Sequence, residues 1–534
     1  MRRRAALAFA GYLALSALLI ARHGVLDPAH ACVCAGGADP PTYMWALRWW
    51  PYALTHGLNP LFTHLVWAPN GANLASAALV PLPSVLLYPI TAAFGPIAGY
   101  NALVVLSPAL AATAAFALCL RLCARTVPAL AGGYCFGFGS YELSQSLGHP
   151  NLMLVALLPL IVLLAIDRPT MSRARYVALM AALLAAQLLS STEVLASAVL
   201  FGALALVLAR RVRALAVDTL LAGALVAVIC SPYLFYSVVR AVPHGPVDAG
   251  NRLAADLLSL VVPDPITLLG GRAIDTSAIA SNVAESGAYI GIPLLIALLL
   301  YLRDAWGGAA ARVIGGVAGA SVLAALGSHL LIAGKRTIPL PWDALSRLPV
   351  LENVVPDRLI VYAWLALAAA LSLWLARSGA RSRWALVLIG LVLLVPDGGL
   401  WNAALRQPPL FSTSAYRRVL RAGEVVLVLP FGGKSSSMLW QAQSGMYFRM
   451  PEGYLSGVPP AEFVRAEPLT EALLAGAMPA TVAQLAGFLQ RHRVAHVAID
   501  SIAPAGWPAQ LAALGWRSKP IGGMLLFSPP GGGR

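Results

Sequence analysis

The sequence predicts an α-helical polytopic membrane protein of about eleven transmembrane helices, followed by a C-terminal α/β domain outside the membrane. Three observations carry this reading. Of the 534 residues, 59% are hydrophobic and only 11% are charged, against about 25% charged in a soluble domain. Eleven apolar runs approach or reach the length that crosses a bilayer. The arginines fall in short loops between those runs, on one side only.

The chain opens with MRRR and an apolar run over 5–21, the layout of a signal sequence. AHA at 29–31 has the form of a cleavage site, but it lies far beyond the apolar run with Asp27 between. An uncleaved signal anchor is therefore expected. Further spans are expected near 97–120, 127–144, 151–166, 176–192, 194–209, 214–236, 287–302, 311–329, 359–376 and 384–399. The run 78–94 contains Pro81, Pro83 and Pro89. Proline removes a backbone donor and breaks helices, so this run reads as interfacial or re-entrant.

The charges test that choice. Arg2, Arg3, Arg4, Arg121, Arg125, Arg168, Arg173, Arg175, Arg210, Arg211, Arg213, Arg303, Arg312, Arg377, Arg381 and Arg383 all fall on one side if 78–94 does not cross. Asp167 and Asp304 are the acids among them. The positive-inside rule then puts the N-terminus in the cytoplasm and the C-terminus outside, as in a bacterial inner-membrane protein. The formal net charge of +15 is thus a matter of topology and does not point to nucleic acid.

This arrangement gives a transmembrane domain over 1–399 with a large first outside loop, 22–96, and further outside loops near 237–286 and 330–358. An extracytoplasmic domain over 400–534 follows. In it, 424–433, 494–500 and 524–530 read as short strands, and 480–492 as an amphipathic helix leading into the second. No repeat of fixed period is present, which weighs against an inverted-repeat transporter. Cys119, Cys123, Cys135 and Cys230 lie in or beside apolar stretches and read as packing residues. Cys32 and Cys34 form a C-x-C whose single intervening residue would strain a mutual disulfide, and no zinc-spaced His/Cys set accompanies them.

One outside stretch stands out: GGADPPTYMWALRWWPY, residues 36–52. Asp39 is a good N-cap and Pro40 suits the first helical position. Trp45 and Trp49 share a helix face beside Trp50, and tryptophan favours the membrane–water boundary. The expectation is a helix over 40–55 lying on the outer membrane surface. Asp39 reads either as a cap alone or as a functional acid. Gly36 and Gly37 before it would let backbone approach a ligand, and a loop of this length is too long for a mere connector.

Together with HGLNPLF, PLPSVLLYPITAAFGPIAGYN, GFGSYELSQSLGHPNL, ESGAYIGIPLL, RLPVLENVVPDRL and VLVLPFGG, this stretch resembles the GT-C superfamily over nearly the whole chain. These are membrane glycosyltransferases that use polyprenyl-phosphate sugars. They include protein O-mannosyltransferases, the lipid A aminoarabinose transferase and bacterial YfhO-like proteins. The resemblance implies transfer of a sugar, with inversion, from a polyprenyl-phosphate-linked donor in the membrane lipid to a glycan, lipid or protein acceptor of the cell envelope. Family members often show paired acids in the first loop. Here Asp39 has Asp27 twelve residues upstream and no adjacent partner, so a divalent metal, Mg or Mn, stays an open option.

Such a reaction needs a base for the acceptor hydroxyl, donors for the departing phosphate and a groove that sets the geometry. Asp39 is the candidate base. Arg358, at the outer end of a span, is the candidate phosphate ligand because guanidinium offers a planar fork of donors. Lys335 and Arg336 in the same loop are second choices, and any of the three could be a snorkelling or surface charge. His149, Glu193, Glu285 and Trp45 are candidates for acceptor or substrate binding. Each also has a structural alternative: a core histidine, a helix-ending acid, an interfacial indole. Asp218 is expected to snorkel or pair with Arg213, and Asp397 to end the last span. Two other classes compete with the enzyme: a lipid-linked sugar flippase, and a non-catalytic glycolipid-binding protein. Ionisable residues crowding the outer rim instead of the midplane favour an outside reaction.

Overall fold

A computed structural model describes all residues except 1, 22–23, 25–26, 76, 78, 240–252, 274–278, 280–281, 348–350, 352–353, 456–458 and 531–534. Each of the eleven apolar runs contains a helix. In chain order these are Arg2–Ile20, Pro96–Cys123, Thr126–Gly137, Leu157–Asp167, Arg173–Leu188, Thr192–Leu208, Val212–Ile229, Ile292–Ala305, Ala309–Ala325, Val361–Arg377 and Arg381–Leu393. Among the described residues Arg2–Ile20, Pro96–Cys123 and Pro356–Arg377 are individually long and apolar enough to cross a membrane. Leu215–Ile229 with Ser231–Val239 makes a fourth if this pair, bent by 78°, counts as one span. The chain is a multi-pass, mostly helical membrane protein.

The prolyl run 78–94 forms two short helices, Pro81–Leu86 and Tyr88–Phe94. At 1.5 Å per residue neither approaches bilayer thickness. The arginine-bearing loops meet one another through ion pairs. Arg121 pairs with Asp167 at 2.8 Å, and Arg383 pairs with Asp304 at 3.1 Å. Asp218 is held by Arg168 and Arg173 at 2.6 and 2.7 Å. These replace the expected partner Arg213, whose side chain lies outside the described set. Asp397 accepts from the Gly399 amide and so caps the turn after the last apolar helix.

The three strands and the helix read in the tail are present, with one further strand. Val425–Leu429 and Val494–Ile499 pair in parallel; Met524–Ser528 and Arg517–Ile521 complete a four-stranded sheet in antiparallel fashion. The strand Arg517–Ile521 is mostly exposed and gives no alternating signal. The helix Val482–Arg491 begins with a capping box, Thr481 with Gln484, and its Leu485 and Phe488 are buried.

Cys32 and Cys34 are joined in a disulfide, contrary to the expectation from spacing. Their Cα atoms are 5.3 Å apart, inside the range that a bridge tolerates. Cys119, Cys123, Cys135 and Cys230 are free. Alkylation of the denatured, unreduced chain should therefore modify four of the six cysteines, and all six after reduction, as read by intact mass.

The tryptophan helix departs most from expectation. It spans Asp39–Thr55 with Pro40 and Pro41 in its first turn, and it ends at His56 before Gly57, whose φ is +64°. Its tryptophans do not face outward to a membrane boundary. Trp45, Trp49 and Trp50 are buried in protein. Their indole N–H groups donate to Gln441 Oε1 (2.6 Å), the Pro60 carbonyl (3.0 Å) and the Leu79 carbonyl (2.9 Å). Trp45 and Trp49 stack with ring centroids 5.4 Å apart. A tryptophan buries roughly 150–250 Å², a gross gain of about 4–6 kcal/mol. With the indole hydrogen also satisfied, protein burial outcompetes the lipid boundary. The helix packs on Pro96–Cys123 and on Ser437–Gln443 of the C-terminal region.

Candidate active site

Five of the eight residues singled out in the sequence converge. Asp39 opens the tryptophan helix. His149 lies in the turn after the short helix Ser140–Gln145, Glu193 in the first turn of Thr192–Leu208, and Glu285 just before Ile292–Ala305. Arg358 lies in the turn that leads into Val361–Arg377. Glu193, Glu285 and Arg358 thus stand at the ends of their helices away from Arg210, Arg303 and Arg377. Arg358 and Arg377 are 19 residues apart, about 28 Å of helix, close to the thickness of the hydrocarbon core.

Arg358 is the hub. Its Nε and Nη2 contact Glu285 (Nε to Oε2 3.1 Å, Nη2 to Oε1 2.5 Å), and its Nη1 donates to Glu193 Oε2 at 2.8 Å. The Glu285 side chain is 2% exposed and that of Glu193 24%. Burial by itself would raise the Glu285 pKa; the guanidinium beside it more than offsets this and holds the carboxyl below its ordinary range. Gln145 Nε2 also donates to Glu285, at 3.4 Å. Arg358 is therefore no free cationic cradle: two carboxylates already occupy its fork.

His149 joins this hub to Asp39. Its Nδ1 is 3.5 Å from Glu285 Oε1 and its Nε2 is 3.8 Å from Asp39 Oδ2. Asp39 is no helix cap. The cap position is Ala38, and no side-chain cap hydrogen bond is made there. Gly36 and Gly37, at φ +89° and +86°, turn the chain into the helix, and the carboxylate is left to face His149. Partial burial raises the Asp39 pKa; His149 and Arg358 oppose this. Because the side chain keeps 42% exposure, solvent screens the upward shift. Among the three acids Asp39 alone combines exposure with the lack of an arginine in hydrogen-bond contact, as a general base requires.

Sequence reasoning missed the polar lining. The Tyr43 hydroxyl bonds Asn151 Oδ1, and Tyr454 from the C-terminal region lies close enough to Asp39 to act on its charge. Tyr100, in Pro96–Cys123, is fully buried. The GHPN motif could have flagged Asn151; nothing in the sequence marks the tyrosines. Trp45 is a packing residue on Gln441, inside the protein. Lys335 and Arg336 sit on an exposed hairpin, His329–Ile332 with Lys335–Pro339, and not on the elements that build the hub.

The fit of a metal can be tested on these donors. Among the described residues no group of three or more His, Cys, Asp or Glu side chains is placed to hold one. The geometry gives the reason: the two ring nitrogens of His149 face different carboxylates, and Glu285 is engaged by Arg358.

In overall fold the chain is similar to the arabinofuranosyltransferase AftD from Mycobacteria. The TM-score is 0.64 at 16% identity, over 99% of this chain and 40% of that one. It also matches, at lower scores, the oligosaccharyltransferase AglB from Archaeoglobus fulgidus in complex with an inhibitory peptide and a dolichol-phosphate (TM-score 0.47, 13% identity, 98% and 74% covered). A third match is ArnT from Cupriavidus metallidurans bound to undecaprenyl phosphate (0.44, 13%, 98% and 98%). No family model matches the chain, and no curated protein matches it. The likeness to AftD is one of fold. The chain spans less than half the length of AftD.

Proposed function

We propose that the chain is a membrane glycosyltransferase that moves a sugar from a polyprenyl-phosphate donor to an acceptor hydroxyl at the extracytoplasmic face. The observation that carries this reading is the convergence of Asp39, His149, Glu285, Arg358 and Glu193, from five separate chain segments, at the ends of helices opposite the arginine-rich loops. Asp39 takes the acceptor proton. The acceptor oxygen attacks the anomeric carbon from the face opposite the phosphate, and that carbon inverts. The bond from carbon to phosphate oxygen breaks, and the polyprenyl phosphate leaves with the electron pair. His149 faces Asp39 with Nε2 and is oriented at Nδ1 by Gln145 Oε1 (3.2 Å) with Glu285 beside it. Arg358 meets the donor phosphate by exchange: its single bond to the partly exposed Glu193 is the one a phosphate oxygen replaces.

The topology that goes with this reading has eleven spans. The N-terminus is cytoplasmic, the membrane domain covers 1–399, and the region 400–534 lies outside the bacterial inner membrane. The disulfide Cys32–Cys34 in the first loop agrees with an oxidising compartment. The deciding experiment reconstitutes the protein in liposomes with radiolabelled polyprenyl-phosphate sugars and an envelope extract as acceptor. Loss of label from the lipid with appearance in a new product is expected. Binding of the lipid with no turnover of any sugar would instead establish a glycolipid-binding protein, and movement of intact donor across the bilayer would establish a flippase.

A further inference from the structure

We propose that Tyr454, supplied by the C-terminal region, is a positioning residue for Asp39, so that the site is incomplete without that region. This rests on the reading of Asp39 as the base. The observations that carry it are independent of that reading.

The segment around Tyr454 is tied to the first outside loop on both sides. Residues 65–68 and 450–452 exchange backbone hydrogen bonds: Met450 to Leu65 (2.8 Å), Ala68 to Met450 (2.9 Å) and Trp67 to Glu452 (3.0 Å). The Glu452 carboxylate is fully buried and accepts from the Gly432 amide at 2.5 Å. It thereby occupies the glycine-rich turn that follows Val425–Leu429, a turn that could otherwise cradle a ligand anion. Thr42, one turn along the helix from Asp39, donates to the Tyr454 carbonyl at 2.6 Å. Gly433 wedges between Ala38 and the Tyr454 ring. A Cβ there would lie 2.6 Å from Tyr454 Cδ2 and 3.1 Å from the Ala38 Cβ. Ala38 before the base and Thr42 after it are thus fixed against the tyrosine, which puts its hydroxyl close enough to the Asp39 carboxylate for each to act on the other's charge.

A donor on a carboxylate stabilises its charged form and fixes which lone pair remains free. Burial and the neighbouring Asp39 push the phenol up to about 12, so it stays a donor at neutral pH. Its contribution is orientation and a lower Asp39 pKa than burial alone would give; it transfers no proton itself.

The test is Tyr454→Phe, which keeps the ring against Gly433 and removes only the hydroxyl, measured beside Asp39→Asn. A hydrogen bond to a charged group predicts a fall in kcat of about 10- to 100-fold. The KM for the lipid-linked donor should stay unchanged, because the donor phosphate is held elsewhere. The acid limb of the pH–rate profile should move to higher pH, since Asp39 loses a group that favours its charged form. Gly433→Ala, which pushes the ring aside, should give the same limb shift in a chain that still carries tyrosine. Wild-type rate and pH profile in Tyr454→Phe, with Asp39→Asn inactive, would overturn the proposal and leave the base reading intact. A rate loss with no limb shift would also overturn it, because that is what a merely structural side chain gives. Full turnover in Asp39→Asn would overturn both.

Discussion

Asp39→Asn is expected to lower the proposed sugar transfer by about 10²- to 10⁴-fold, the contribution of a positioned general base, while the protein stays folded. Asparagine keeps the shape of the side chain and a carbonyl oxygen for Tyr454, but it cannot take a proton from the acceptor. His149 also loses the anion 3.8 Å from its Nε2. The side chain is 42% exposed and forms no cap bond to its helix, so little stability depends on its charge. Single-turnover rates in liposomes and the thermal midpoint of the purified variant separate the two effects. The wild-type pH profile supplies the sign. The Asp39 pKa is raised, and as the proposed base the carboxylate is the active form. Activity is therefore full above that raised value and lost as pH falls through it, earlier than for an ordinary aspartate. In the variant this limb disappears. Turnover at the wild-type rate would remove Asp39 from the mechanism.

The parts of this site that were legible in the sequence are its charges. In a chain with 11% charged residues, an acid or arginine at a span end has few structural uses, and the positive-inside count says which ends share a side. That logic reached Glu193, Glu285 and Arg358; Asp39 was marked by Gly36, Gly37 and its long loop, and His149 by its place at an outer span end. It could not say that Arg358 is already saturated by Glu193 and Glu285, because the pairs are 165 and 73 residues apart. It could not separate Lys335 and Arg336 from Arg358 either, since membership of a loop is not proximity. Tyr454 was out of reach for the same reason: 412 residues separate it from Thr42. The tryptophan helix was found, but its environment was misjudged. An indole seeks an apolar body and one acceptor, and the lipid boundary and the face of a second region satisfy that demand equally in sequence terms. The strands over 425–429, 494–499 and 524–528 were visible as apolar runs, whereas the exposed Arg517–Ile521 carried no pattern to read.

Arg358→Met is expected to damage the protein in two separable ways. The guanidinium holds Glu285, almost wholly buried, and Glu193, mostly buried. Its loss leaves Glu193 without its arginine and Glu285 with only Gln145 and His149, and breaking such a buried pair costs about 3–5 kcal/mol. Arg358→Lys should fall between, because an ammonium cannot hold Glu285 with two donors and Glu193 with a third in one plane. A fall in activity in either variant is ambiguous by itself. The combination Arg358→Met with Glu193→Gln and Glu285→Gln resolves it. Removing all three charges together removes the desolvation penalty, so the thermal midpoint should return most of the way to wild type. If Arg358 also meets the donor phosphate, binding of a polyprenyl phosphate stays weak in this stable triple variant. Glu193→Gln alone should then tighten it, because the phosphate no longer competes with a carboxylate for Nη1. Wild-type affinity in the triple variant would show that Arg358 only braces the two glutamates, and would place the phosphate contact on another group.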